Sequence, residues 1–206
     1  VQTCALPISS GVRILSAMNA PISPALPTGL TMSAATGAIT GTATGPSSQA
    51  TYTVTATDAN GSSASATFDL TVNSSVVATQ AVASKVMVVG VSGVVFTPVT
   101  GSGGYGALSY TVSPSLPATM TMASATGVIS GTPSATKTTT TYTVTVTDTN
   151  GATATQTFTL TVNAALTATQ SVASKTLTAN AAATAFTPVT GVGGLTPLSY
   201  AVSPAL

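Results

Sequence analysis

Residues 141–162 read TYTVTVTDTNGATATQTFTLTV, and the fold turns on this stretch. Side chains alternate with a period of two on each side of a central break, the period of a half-buried strand. The alternation puts Tyr142, Val144 and Val146 on one face and Thr141, Thr143, Thr145 and Thr147 on the other. In the second half it puts Phe158, Leu160 and Val162 inward and Thr157, Thr159 and Thr161 outward. The break, Asp148-Thr149-Asn150-Gly151, carries Asn-Gly, a strong short hairpin signal because both residues accept positive φ. The stretch predicts an antiparallel hairpin with one face against a core.

The same stretch occurs earlier. TYTVTATDANG (51–61) precedes TYTVTVTDTNG (141–151), ATQAVASK (78–85) precedes ATQSVASK (168–175), and FTPVTGSGG (96–104) precedes FTPVTGVGG (186–194). Every offset is 90, and 46 of the 90 positions of 21–110 and 111–200 are identical without a gap. Solenoid units run about 20–50 residues, whereas an immunoglobulin-like sandwich has about 100. The chain therefore reads as an all-β array of tandem immunoglobulin-like sandwich domains with about seven strands each. The expected boundaries are 9–74 for a partial repeat, 75–164 for a complete one and 165–206 for the N-terminal part of a truncated third. Within the complete unit, LSYTV (108–112) is a strand, and MTM (120–122) and VIS (128–130) form a hairpin. Pro98 confines FTPV to an edge strand or strand end, TQAVASK completes the set, and VMVVGVSGVVF (86–96) reads as two short strands with a kink. The structural positions are Tyr52, Asn60, Gly61, Phe68, Phe96, Tyr110, Tyr142, Asn150, Gly151 and Phe158. Tyr142, at the start of the penultimate strand, stands where a tyrosine corner would be, with a plain core aromatic as the alternative.

Composition excludes several functions. Only 3% of the 206 residues are charged and the net charge is +1. Three dispersed lysines and one arginine cannot build the basic face that nucleic acid requires. The longest apolar run falls short of the roughly 20 residues of a membrane helix. There is no His and no Glu, so general acid–base catalysis lacks its usual groups, no serine or threonine has an activating base, and zinc lacks its ligands. No enzyme active site is expected. Calcium, which takes 6–8 oxygen ligands, has only weak candidates: Asp148 and Asn150, and their counterparts Asp58 and Asn60. The competing reading is a turn in which Asp and Asn bond their own backbone. Lys85 and Lys175 read as solvated lysines guarding a strand edge. Tyr105 is the one exposed ring that could stack on a sugar, but Leu195 replaces it in the following repeat.

The opening octapeptide VQTCALPI (1–8) holds the only cysteine, Cys4, and fits neither a signal peptide nor a redox motif. The codons GTT CAG ACG TGT GCT CTT CCG ATC encode it and spell a common short-read sequencing adapter. Residues 1–8 are therefore expected to be non-native.

L-S-Y-x-V-S-P-x-L-P (108–117), T-G-x-I-S-G-T (126–132), Y-T-V-T-x-T-D-x-N-G (142–151) and F-x-L-T-V (158–162) resemble the immunoglobulin-like and dystroglycan-type cadherin-like repeats of large bacterial surface proteins. The resemblance implies a non-enzymatic structural or adhesive segment, a stalk or spacer, in a bacterial cell-surface or secreted protein. It also implies two alternatives: a calcium-dependent cadherin-like adhesion module, or an accessory array of a secreted hydrolase. The partners it implies are neighbouring repeats of the same chain and a cell-surface or carbohydrate ligand.

Overall fold

The computed structural model describes residues 22–204. The octapeptide 1–8 lies outside them. The chain divides into two compact units, Val1–Ser74 and Ser75–Leu206.

In the first unit, β1 (Ile22–Ser23), β4 (Ser47–Thr57) and β5 (Ser63–Val72) form an antiparallel sheet in the order β1-β4-β5. β2 (Leu30–Met32) and β3 (Ile39–Gly41) form a separate hairpin. Tyr52 is buried and stacks on Phe68 at a centroid distance of 5.5 Å.

The second unit contains the complete repeat. Its strands are β6 (Val77–Gln80), β7 (Ser84–Val88), β8 (Val99–Ser102), β9 (Ser109–Ser113), β10 (Met120–Met122), β11 (Ile129–Gly131), β12 (Lys137–Thr147) and β13 (Thr153–Asn163). One sheet has the order β7-β13-β12-β9. Opposite it, β6 pairs with β8, Phe96 bridges to Ile129, and β11 pairs with β10. Two β-layers face each other across one core, as a sandwich requires.

The alternation read from the sequence holds along the central hairpin. β12 buries Tyr142, Val144 and Val146, and β13 buries Phe158, Leu160 and Val162. Phe96 crosses from the other sheet to meet Phe158 edge-on at 6.0 Å. Each such apolar side chain contributes about 1.5–3 kcal/mol by leaving water. The threonine face stays outward, and Thr139 and Thr161 exchange a hydroxyl hydrogen bond across the pair at 2.8 Å.

Four local expectations are corrected. TQAVASK spans two strands in different sheets: β6 pairs antiparallel with β8, and β7 pairs parallel with β13. VMVVGVSGVVF supplies one strand, a turn at Gly90 with φ +79°, and the isolated bridge at Phe96. Two glycines and a serine within it leave too few residues for a second ladder. The hairpin turn is also different. Gly151 has φ +85°, but Asn150 keeps a negative φ. Gly151 N–H donates to the Asp148 carbonyl at 3.1 Å, so the four-residue turn 148–151 ends on a left-handed glycine, the longer hairpin connection. Lys85 is not simply solvated: on the edge strand β7 it shares parity with buried Met87, and its ammonium sits 5.5 Å from the Phe96 ring centroid. An inward-pointing charge still protects an edge.

After Asn163 the chain forms β14 (Thr167–Gln170) and β15 (Val189–Val192), an antiparallel pair. Among the described residues, none beyond 165 belongs to the buried core.

Candidate functional site

Asp148 closes the β12–β13 hairpin and is 8% exposed. Its Oδ1 accepts the backbone N–H of Asn150 at 2.9 Å and of Ala152 at 2.8 Å. Its Oδ2 accepts the N–H of Tyr105, from the loop between β8 and β9, at 2.9 Å. Thr149 N–H returns a bond to the Tyr105 carbonyl at 3.0 Å. The Tyr105 N–H, opposed in part by burial and joined by the Ala152, Asn150 and Gly151 N–H groups, holds the Asp148 carboxyl below the usual carboxylate range. Hydrogen bonds to the charged form do this because protonation would forfeit them.

Gly104 makes the approach possible. Its φ is +73°, and a Cβ there would lie 2.8 Å from both Asp148 Cβ and Val76 Cγ2. The Asp148 hairpin, the Gly103-Gly104 loop and the start of the repeat at Val76 thus meet at one end of the sandwich. The Tyr105 ring itself remains about half exposed.

Asp58 builds the same turn in the first unit. Its Oδ1 accepts the N–H of Asn60 at 2.9 Å and of Ser62 at 2.8 Å. At each hairpin the asparagine meets the aspartate through its backbone N–H, and both asparagines are exposed. Among the described residues no group of three or more His, Cys, Asp or Glu side chains could hold a metal. Asp69 faces outward and accepts from Thr51 Oγ1 at 2.6 Å and Gln49 Nε2 at 3.1 Å.

The tyrosines divide by role. Tyr142 stacks on Phe158 at 5.4 Å, is fully buried, and its hydroxyl has no hydrogen-bond partner. Burial alone raises its pKa. A tyrosine corner needs a hydroxyl bonded to backbone, so Tyr142 is the core aromatic instead. The backbone clamp belongs to Tyr110, whose hydroxyl accepts the N–H of Gly101 at 3.0 Å. Tyr200 repeats it with Gly191 at 3.2 Å. The paired recurrence of Tyr and Gly at offset 90 was the available signal.

At the other end of the repeat, Asn163 Nδ2 donates to the Gly194 carbonyl at 3.2 Å, and Gly194 N–H donates to the Ala164 carbonyl at 2.8 Å. The Gly193-Gly194 loop, from the next repeat within the same unit, thereby grips the connecting segment.

A two-layer all-β repeat with these features is an immunoglobulin-like domain, here present in tandem. The family described as "Putative Ig domain" matches residues 5–73 and 75–163, and the chain belongs to it. Domains of this class are typically extracellular, non-enzymatic structural modules. No curated protein matches the sequence. Among solved structures, protocadherin gamma B7 extracellular cadherin domains 1–4 are similar at 15% identity, covering 63% of this chain and 36% of theirs, with a TM-score of 0.37. A protocadherin gamma B7 EC3–6 cis-dimer structure is similar at 17% identity, covering 75% and 44%, also at 0.37. The chain thus spans about a third to under half of the protocadherin chains it matches.

Proposed function

We propose that the chain is a load-bearing stalk or spacer segment of a bacterial cell-surface or secreted protein, which holds an adhesive or catalytic part away from its anchor. The observation that carries this reading is the parallel pairing of β7 with β13, from Thr159↔Ser84 to Asn163↔Val88. Tension between the ends of a repeat pulls β7 and β13, which run parallel and lie near those two ends, in opposite directions. All rungs of the ladder then share the load in shear rather than parting one at a time. The ladder is extended at both ends by Thr159 N–H to the Ala83 carbonyl at 2.9 Å and Val89 N–H to the Asn163 carbonyl at 3.0 Å. Gln80 Nε2 adds a bond to the Thr157 carbonyl at 2.6 Å.

Single-molecule stretching of the full chain tests this. The middle repeat should yield in one discrete step that releases about 26–28 nm, the extended length of the chain from Ser84 to Asn163. Val89→Pro, which removes a ladder donor, should lower the force of that step. Gradual extension without a discrete event, unchanged by Val89→Pro, would refute the stalk reading.

A further inference from the structure

Asn150 and Asn60 stand at the tips of the β12–β13 and β4–β5 hairpins, and each precedes a glycine, Gly151 and Gly61. The other asparagines of the chain precede Ala or Ser. Asparagine is among the thermolabile residues, because the backbone nitrogen of the next residue can attack its side-chain Cγ and close a five-membered imide. A side chain on that next residue crowds the closure, and glycine has none.

Both tips leave room for this reaction. The two asparagines are exposed, and a Cβ built on Gly151 or Gly61 would meet nothing within 4 Å, so the carboxamide can swing over the glycine nitrogen. One restraint opposes it. Gly151 N–H donates to the Asp148 carbonyl and Gly61 N–H to the Asp58 carbonyl, each at 3.1 Å. In the middle repeat the turn is tied down further, by Asp148 Oδ2 on the Tyr105 N–H and by Thr149 N–H on the Tyr105 carbonyl. Closure therefore waits on local opening of the tip, and exposed loop tips open far more readily than whole domains. Asn163 is the contrast. It ends β13, it is half-buried, its Nδ2 donates to the Gly194 carbonyl at 3.2 Å, and Ala164 follows it.

We propose that Asn150 and Asn60 are modification sites that lose their amides spontaneously in the folded chain, at a rate set by opening of the hairpin tip, with water as the only co-reactant. The glycine nitrogen bonds to the asparagine Cγ, the Cγ–Nδ2 bond breaks, and Nδ2 leaves as ammonia with the proton that the glycine nitrogen gives up. Water then adds to one of the two imide carbonyls and its C–N bond opens, giving aspartate or isoaspartate. No oxidation state changes. Each conversion adds one negative charge to a chain whose net charge is +1, so two conversions reverse its sign. The isoaspartate route also inserts a methylene into the main chain between the Asn150 and Ala152 N–H groups that Asp148 Oδ1 holds. Either product sets a carboxylate beside that of Asp148. Both changes loosen the clamp on Tyr105, and the modified repeat should melt at a lower temperature.

Isoelectric focusing and peptide mass spectrometry of the full chain, kept folded at mildly alkaline pH and sampled over weeks, test the proposal. Two acidic species should appear in succession, with amide-to-acid exchange at Asn150 and Asn60. Asn150→Gln and Asn60→Gln should each delete one of these conversions, since the longer side chain closes a ring poorly. Gly104→Ala, whose methyl meets Asp148, should speed conversion at Asn150 several-fold, because the open population rises as the clamp weakens, and should leave Asn60 unchanged. Circular dichroism checks that this variant keeps its strand content; if it does not, Asp148→Asn replaces it. Conversion that begins at Asn73, Asn163 or Asn180 overturns the proposal. A folded chain that keeps its charge while the urea-unfolded chain loses its amides overturns it too. A rate at Asn150 that weakening the clamp leaves unmoved does the same, since opening of the tip would then not control the reaction.

Discussion

Replacing a tyrosine by phenylalanine at two positions of the middle repeat should change stability in opposite directions. At Tyr142 the hydroxyl is buried without a partner. A buried polar group left unpaired costs about 1–3 kcal/mol relative to its hydrated state, and Tyr142→Phe deletes that group while the ring stays against Phe158. The expected gain is about 1 kcal/mol, at the low end because the deleted atom leaves a small void. For a domain of this size that is roughly 4–8 °C in the midpoint. At Tyr110 the hydroxyl accepts the Gly101 N–H. Tyr110→Phe strands that donor and should cost about 1–2 kcal/mol. Alkaline pH gives a second readout. Burial raises the Tyr142 pKa in the folded state, so above the ordinary value near 10 the unfolded chain loses its proton first and stability falls as pH rises. Tyr142→Phe should remove that part of the alkaline loss. Calorimetry of the full chain at neutral pH and at pH 9–11 measures both effects. If Tyr142→Phe lowers the midpoint and Tyr110→Phe leaves it unmoved, the assignment of the two hydroxyls is reversed and the reasoning fails.

Asp148 has a depressed pKa in the fold, so its contribution is fully present above the unfolded value near 3.9 and is lost as pH falls through the folded value. Urea denaturation between pH 2 and 5 should show an acid limb that Asp148→Asn flattens, and an unchanged limb would contradict the hydrogen-bond assignment. Gly104→Ala should destabilise the middle repeat by about 1–3 kcal/mol, because φ is +73° and the new methyl meets Asp148 and Val76; a neutral thermal midpoint would contradict the close packing of this loop. With three backbone N–H groups already on the Asp148 carboxylate, millimolar calcium should leave the full chain's melting temperature unmoved, and an increase would restore the calcium-dependent module as the better reading.

Period-two alternation and the 90-residue offset were enough to make the fold class, the tandem arrangement and the inward sets of β12 and β13 legible, because a strand's faces follow directly from residue parity. Gly151 and Tyr110 were also named from the sequence. Other features depended on distant partners. Nothing local in TQAVASK distinguishes a strand that stays in one sheet from one that changes sheets; the choice comes from β8 and β13 each having an unpaired edge to fill. The aspartate of the DTNG turn could have faced solvent and a cation, and the tertiary structure turns it inward because the Tyr105 N–H needs an acceptor there. Tyr142 and Tyr110 both sit on buried strand faces, so parity alone could not say which hydroxyl would find a donor. Only the packing of the two layers decides that, by bringing the Gly101 backbone to Tyr110 and nothing polar to Tyr142.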